Sequence, residues 1–514
     1  METSIATSST YASIKNQESV SISAIPILRY GNFYTEVVSL MKNPQIHCVN
    51  YYAFHDDNQL KFICCLADDI AGDIKVFSHA IQGEEKLQLS SLTKEVYAFH
   101  IFEREIAENF GVEFIFNPWP KPVRYAFNRA DRSKVMNGYP FYKIQSDELH
   151  EVGVGPIHAG VIEPGHFRFL CNGETVLHLE IQLGWQHRGI EDLFLKKTAL
   201  IQRTVLSESI AGDTAVGHAS TFAGLMESLA SISIQDRLKV ERTIGLELER
   251  IAMHIGDLSN MCIGLAYQLG ASVFGALRTP TINYSQLWCG NRFGKELIRV
   301  GGTHYPLNES LIASLEKFLN NFEGRFLTMA EKMFSLSSVL MRIENIGVVT
   351  KTQMELIGAV GMTARMTGIE RDLRKSHSTG AYQKLNFTPV FDITQGDVWA
   401  RAALRRKEIV VSIEYIRSLI ALLKSSQETS TTPVSGESLK LMPNSLSVSM
   451  TEGWRGEICH CAITDNTGKI SHYKIKDPSV HNWMALALSL RDLEISDFPI
   501  NNKSYNLSYC GHDL

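Results

Sequence analysis

The chain has 514 residues, 44% of them hydrophobic and 20% charged, with a net charge of -5. That length predicts more than one domain and an ample apolar core, and the lack of clustered basic charge argues against a nucleic-acid partner. No apolar run reaches the ~18 residues that a membrane-spanning helix needs.

The opening stretch, 1–24, is rich in Ser and Thr and has no apolar segment of the kind a secretory signal carries, so it reads as a flexible tail on a cytosolic protein. A compact α+β domain is expected over 25–125. Phe62-Ile63-Cys64-Cys65-Leu66 is strand-like, which sends Cys64 and Cys65 to opposite faces. Phe102, Ile106 and Phe110 line one helix face; Glu103, Glu105 and Glu108 read as the solvated side of that helix, and Gly111 as its stop. Pro118, Pro120 and Pro122 then exclude helix. A polar linker covers 126–150.

The remaining residues, 151–514, open with a hairpin. Phe167 and Phe169 alternate with polar neighbours, Asn172-Gly173 predicts a tight turn with two positive φ angles, and Leu177, Leu179, Ile181 and Leu183 alternate on the return strand. His187-Arg188-Gly189 leads into a mainly helical stretch reaching about Ile343, in which Leu238, Leu248, Ile251 and Ile255 keep helical spacing and Asp236-Arg237 opens a helix. Further helical blocks are expected around 349–374 and 398–423. Residues 425–449 read as a long loop. Two strands, 456–463 and 470–475, follow around a Thr467-Gly468 turn. No internal repeat is present.

The nine cysteines are scattered, none in a C-x-x-C, and reduced thiols are expected. Cys459 and Cys461 share a strand face and read as small, half-buried core residues. No G-x-G-x-x-G fingerprint occurs, so NADH is not expected to bind this chain.

Several ordered blocks resemble one family. Phe102-Glu103-Arg104-Glu105 with Phe110-Gly111-Val112 is similar to the signature of the 30-kDa subunit of complex I. Gly155-Pro156-Ile157-His158 and Ile162 to Phe169 resemble the opening of group 4 nickel–iron hydrogenase large subunits and of their relative, the 49-kDa subunit of complex I. His187 to Glu191, Glu247 to Ile251 with His254, Arg365 to Arg374, Tyr382, Gly396 to Arg401, Arg455-Gly456-Glu457 and Asp477-Pro478-Ser479 with Asn482-Trp483 follow the family order. The resemblance implies a multidomain fold. An N-terminal α+β domain of the complex I 30-kDa type precedes a mainly α-helical hydrogenase-like domain of the 49-kDa type with a small β hairpin and sheet. It also implies an oxidoreductase complex with a small iron–sulfur partner of the complex I kind and antiporter-like membrane subunits, with this chain peripheral on the cytoplasmic side of the inner membrane.

Members that bind nickel and iron use two C-x-x-C pairs, because soft thiolates suit those metals. Here Ala211 and Thr214 stand where the first pair belongs, flanked by Glu208 and His218. The region expected for the second, Asp497 to Ser504, has no cysteine, and Cys510 comes later and alone. No metal and no tightly bound cofactor is therefore expected. In the 49-kDa subunit of complex I the vacated cavity takes a quinone, held by a His and a Tyr. His158 or His166 fits the first role; the family position of the Tyr falls on Gly212. Glu163, His187, Arg188, Asp213 and His218 complete the candidate cavity, with a weak Asp213–His218 pair. Glu247, Glu249, Arg250 and His254 form a polar helix stripe, structural or proton-conducting. Arg365, Arg371, Asp372 and Arg374 are expected to form ion pairs that hold helices and a partner subunit together. The alternative to a quinone site is a non-catalytic scaffold coupling the iron–sulfur partner to the membrane subunits.

Overall fold

Strands rich in aromatic and β-branched residues, Ile46–Asp56, Gln59–Asp68 and Asp73–Gln82, form an antiparallel meander whose free edge is covered by Ala12–Ile14 and Ile27–Leu28. The computed structural model describes residues 9–514 except 57, 83–86, 161, 386 and 437–438. One face of this sheet packs on the helices Tyr30–Leu40 and His100–Phe110 through Phe33, Phe62, Cys64 and Phe102. The other face, with Val49, Ile63, Cys65 and Val76, packs on Leu446, Val448, Met450, Cys459 and Cys461 of a second sheet. Cys64 and Cys65 do face opposite sides.

The second sheet runs Glu18–Ser21, Ser445–Glu452, Glu457–Thr464, Ile470–Lys476. Its far face lies on the helix Ala215–Leu229, where Ser447 bonds Ser228 at 2.9 Å. Both central strands are therefore buried throughout, and Cys459 and Cys461 are fully rather than half buried. Two expectations change here. The predicted loop ends at residue 444, because small serines let a helix lie close over what looks like a solvent face. Of the predicted tail, residues 1–8 lie outside the described residues, and from Ala12 onward it is tied into both sheets by ladder hydrogen bonds.

The hairpin His166–Asn172/Thr175–Gln182 forms with a strand on each side, His150–Val154 and Leu493–Glu494. Its turn sits one residue later than expected: Asn172 pairs with Thr175, and only Gly173 has positive φ, +55°. A bulge opposite Leu170/Cys171 leaves Leu177 unpaired and turned to solvent, while Val176 takes the inward place. The helical body is built on Asp236–Gly264, flanked by Gln268–Cys289, Glu309–Ser335 and Val398–Ser425. The helical block expected at 349–374 is broken into three short helices, interrupted where Gly358, Gly361 and Gly368 adopt positive φ. Among the described residues no helix is long and apolar enough to cross a membrane.

The acidic side of the His100–Phe110 helix is not solvated. Glu103 is fully buried and accepts from the Ser91 hydroxyl (2.5 Å), the Leu92 amide (2.6 Å) and the Thr93 hydroxyl (2.6 Å). Glu105 pairs with Arg124 and Lys474, and Glu108 caps the amides of Val123, Arg124 and Ala126. Glu103 and Glu105 are buried and Glu108 half-buried because donors await each carboxylate.

Charge also joins the two sheets. Asp69 meets Arg371 at 2.8 Å, with His47 and His377 beside it, and Glu457 pairs with His47 (2.8 Å) and Lys476. Burial alone would raise the Glu457 carboxyl; Lys476 and His47 outweigh it and hold it well below the usual carboxylate range. Replacing Glu457→Gln strands Lys476 and is expected to cost about 3 kcal/mol in urea unfolding at pH 7. A depressed folded pKa stabilises above the unfolded value of ~4 and loses that contribution as pH falls toward the folded one. The deficit of the variant should therefore shrink below about pH 4; a deficit constant down to pH 3 contradicts the assignment.

Candidate functional site

Two arginines bring the Ser209–Thr214 segment against the C-terminal segment. Arg188 precedes the helix Ile190–Lys196; its guanidinium donates to the carbonyls of Ser209 (2.7 Å), Ile210 (2.9 Å) and Cys510 (3.2 Å). Arg455, in the turn between Ser445–Glu452 and Glu457–Thr464, donates in fork geometry to both oxygens of Asp213 (2.7 and 2.6 Å), to Thr214 Oγ1 (3.3 Å) and to the Asn506 carbonyl (2.5 Å). That turn is wedged against Gly361: a Cβ on Gly456, whose φ is +141°, would lie 2.6 Å from the Gly361 Cα.

The segment facing Ala211 and Thr214 is thus Asn506–Gly511, not 497–504. The helix Phe498–Tyr505 instead bonds Arg401 through Asn501 (2.7 Å) and Ser504 (2.7 Å). Ser508 caps the last helix, Tyr509–Asp513, by accepting from the Gly511 amide at 2.9 Å. Cys510 follows it, half-buried. Burial and the nearby Glu163 carboxylate push the Cys510 thiol up to about 11, so it stays protonated at neutral pH. The side chains at Ala211, Thr214, Ser508 and Gly511 include no thiolate, so this donor set does not fit a nickel–iron centre. Among the described residues no group of three or more His, Cys, Asp or Glu is placed to hold a metal ion.

The predicted cavity residues divide. Glu163 reaches the junction, accepting from the Tyr509 amide at 3.3 Å. His158 stands beside it: its Nε2 donates to the Gly165 carbonyl (2.8 Å), and a Cβ on Gly165 would strike the Tyr509 ring. Arg188 and Asp213 form the junction itself. His166 does not join them. It points to the outer face of its strand, toward Phe141 at 5.4 Å and the Gly155 carbonyl. His187 turns away as well, donating to the Asp513 carbonyl at 2.8 Å against Phe127.

The Asp213–His218 pair does not form, since Asp213 belongs to Arg455. His218 instead lies in a fully buried row: Tyr473 OH to His460 Nδ1 (2.8 Å), His460 Nε2 to His218 Nδ1 (3.1 Å), His218 Nε2 to Asp477 Oδ2 (3.1 Å). Burial, then His218, hold His460 well below its ordinary value, so it is neutral. The ionised Asp477 carboxylate only accepts, so His218 Nε2 donates to it. The row ends beside Gly511, where a Cβ would lie 2.6 Å from the Asp477 carboxyl carbon. Sequence reasoning missed Arg455, Asp477, His460 and Tyr509 as site residues; the Arg455 and Asp477 motif blocks were the available signal.

Glu247 does meet Arg250, at 3.3 Å, but Arg250 and His254 converge on Glu408 rather than on each other. Glu249 leaves the stripe and accepts from the amides of Val216 and Gly217 at the start of the helix Ala215–Leu229. Burial raises its carboxyl to about 8. Arg365 pairs with Glu408 and Glu452, and Arg374 with Asp372, all within this chain.

If Arg455 closes the junction, Arg455→Met removes charge-assisted hydrogen bonds contributing about 1.5–3 kcal/mol in all. Amide exchange across 507–514 should then speed up at least roughly tenfold while the helical core keeps its protection; unchanged exchange there contradicts the role.

Residues 272–513 match the family of the respiratory-chain NADH dehydrogenase 49 kDa subunit. Hydrogenase-4 component G of Escherichia coli (strain K12) is 24% identical over 82% of this chain and 75% of its own length. An NADH-quinone oxidoreductase subunit from Clostridium beijerinckii is 26% identical over 65% of this chain and 90% of its own. In fold, the chain resembles a chain of the membrane-bound sulfane sulfur reductase, an archaeal respiratory membrane complex, with TM-score 0.66, 20% identity and coverage of 73% of this chain and all of that one. Residues 272–513 are thus of the 49 kDa type, and the chain as a whole is similar to hydrogenase-4-type subunits and to their relatives in NADH-quinone oxidoreductases.

Proposed function

We propose that this chain is a core subunit of a membrane-associated, complex-I-like energy-converting oxidoreductase, and that the junction between Ser209–Thr214 and Asn506–Gly511 receives a quinone or another small oxidoreductant. The observation that carries this reading is the junction's make-up. Two segments that would each supply a thiolate pair are held together by Arg188 and Arg455, yet present Ala211, Thr214, Ser508 and Gly511. In this reading residues 25–125 act as a domain of the complex I 30-kDa type. The exposed Arg188 and Gly212 and the half-buried Asp213 and Cys510 face a small iron–sulfur partner of the complex I kind. Antiporter-like membrane subunits complete the assembly on the cytoplasmic side of the membrane.

Reducing a quinone takes two electrons, here from the iron–sulfur partner, and two protons. With Nε2 committed to Gly165, His158 offers Nδ1: as imidazolium it donates to a carbonyl oxygen and delivers a proton, and as neutral imidazole it accepts one back. Glu163 stands beside the same space, and the Tyr473–His460–His218–Asp477 row supports the C-terminal side with groups able to pass a proton.

A scaffold without its own redox step is favoured by one observation. Gly212, where the family's tyrosine falls, is exposed and has no side chain. Turnover of the purified complex with a soluble quinone separates the readings. His158→Ala is expected to slow quinone reduction by roughly 10²-fold, as loss of a positioned proton donor does, with the make-up of the complex unchanged. Full turnover in a His158→Ala/Glu163→Gln double variant favours the scaffold, and stoichiometric nickel in the complex overturns both.

A further inference from the structure

A cavity of about 360 Å³ lies away from the junction, between the two domains. Tyr97, Trp119, Tyr139, Leu179, Trp483 and Met484 are among the residues that line it. Trp483 forms the wall toward the candidate site, its ring 4.8 Å from that of Tyr509. The volume falls at the small end of the range that takes drug-sized ligands.

The polar groups here are unusual for an apolar cavity. His100 is 2% exposed and stacks on Tyr97 at 4.8 Å, yet neither of its ring nitrogens has a hydrogen-bond partner among the described residues. The buried Nε2 of His178, beside Trp119, also has none. Leaving such atoms unpaired costs about 1–3 kcal/mol each, so water or a ligand in the cavity must complete them. The other charged groups lining it are accounted for. Arg104 donates to the carbonyls of Lys121 and Pro122, Glu180 pairs with Lys121, and His512 meets Asp513 at 2.8 Å. Arg491 differs: it is exposed at the rim, close enough to bias Tyr97 and His178, and makes no ion pair among the described residues.

We propose that this cavity binds a small anionic amphiphile, its aromatic or apolar body between Trp119 and Trp483, a polar atom on His100, and its single negative group on Arg491. The body matches the aromatic walls, His100 supplies one donor and one acceptor, and the lone guanidinium at the mouth selects for an anion such as a carboxylate, sulfonate or phosphate monoester.

The test uses the full chain and 8-anilinonaphthalene-1-sulfonate, with uncharged N-phenyl-1-naphthylamine as the matched probe. Trp119 and Trp483 report occupancy through energy transfer. The expected result is one saturable site for the sulfonate. Arg491→Glu should weaken it about tenfold, as loss of a charge-assisted contact does, and should change binding of the neutral probe less than about twofold. Ala487→Trp, which fills the cavity, should abolish binding of both probes; Leu488→Phe serves where that variant does not fold. Absence of saturable binding, or binding that survives both filling variants, overturns the site. Equal loss of both probes in Arg491→Glu overturns the anionic ligand.

Discussion

Buried charge that must find an opposite charge is the constraint on which this fold depends. Arg250, Arg365 and Arg374 lie at the centre of the molecule with Glu247, Asp372, Glu408 and Glu452, all within a few per cent of complete burial. Arg365 alone reaches Glu408 (2.6 Å), Glu452 (2.7 Å) and Asp372 (3.3 Å). These contacts join the helices Asp236–Gly264 and Val398–Ser425, the strand Ser445–Glu452 and the irregular stretch 365–374. As a set, such ions contribute little net stability, because desolvation cancels most of the attraction. What they impose is a penalty on every other arrangement, since a shifted segment would leave a charge buried and alone. Four carboxylates against three guanidinium groups also leave an excess of negative charge, and Glu452, by burial and then by Asp372, is the carboxyl pushed up.

The same logic sets how far the sequence could be read. Apolar faces with helical spacing, such as Phe102/Ile106, were legible because burial and spacing agree there. Reading failed where a polar side is buried with partners supplied from far away. Glu103, Glu105 and Glu108 looked like a solvated face, but their donors come from 91–93, 117, 123–126 and 474. The serines of Ser445–Glu452 looked like loop because alternation with small polar residues does not announce that a helix covers them. Leu177 was misplaced by one β-bulge, which takes that residue out of the alternation while Leu179 and Leu183 keep the inward side.

The candidate site was half legible for a related reason. Motif order located Ser209–Thr214, Glu163 and Arg188, and the absence of C-x-x-C is plain in the sequence. The contacts that assemble the junction are long-range: Arg455 lies 242 residues from Asp213, and His218 lies 259 from Asp477. Local spacing offered His218 only Asp213, five residues away and unsuited to helical contact. No local rule could say that the C-terminal partner begins at Asn506 rather than Asp497, because only the anchoring of Phe498–Tyr505 on Arg401 decides it.

A metal bound between two segments cross-links them, and its binding energy becomes folding energy. A chain with no thiolates at that place needs another cross-link if the two segments are to stay in register. Here the cross-link is made of two guanidinium groups, each spanning both sides, one reading backbone carbonyls and the other a carboxylate, a hydroxyl and a carbonyl. Such a bridge differs from a metal in one respect that bears on function. Hydrogen bonds to Arg188 and Arg455 can be exchanged for hydrogen bonds to a ligand at little net cost, whereas metal–thiolate bonds cannot. In the proposed reading, a junction held by arginines offers a polar head group hydrogen bonds that it can take up and give back.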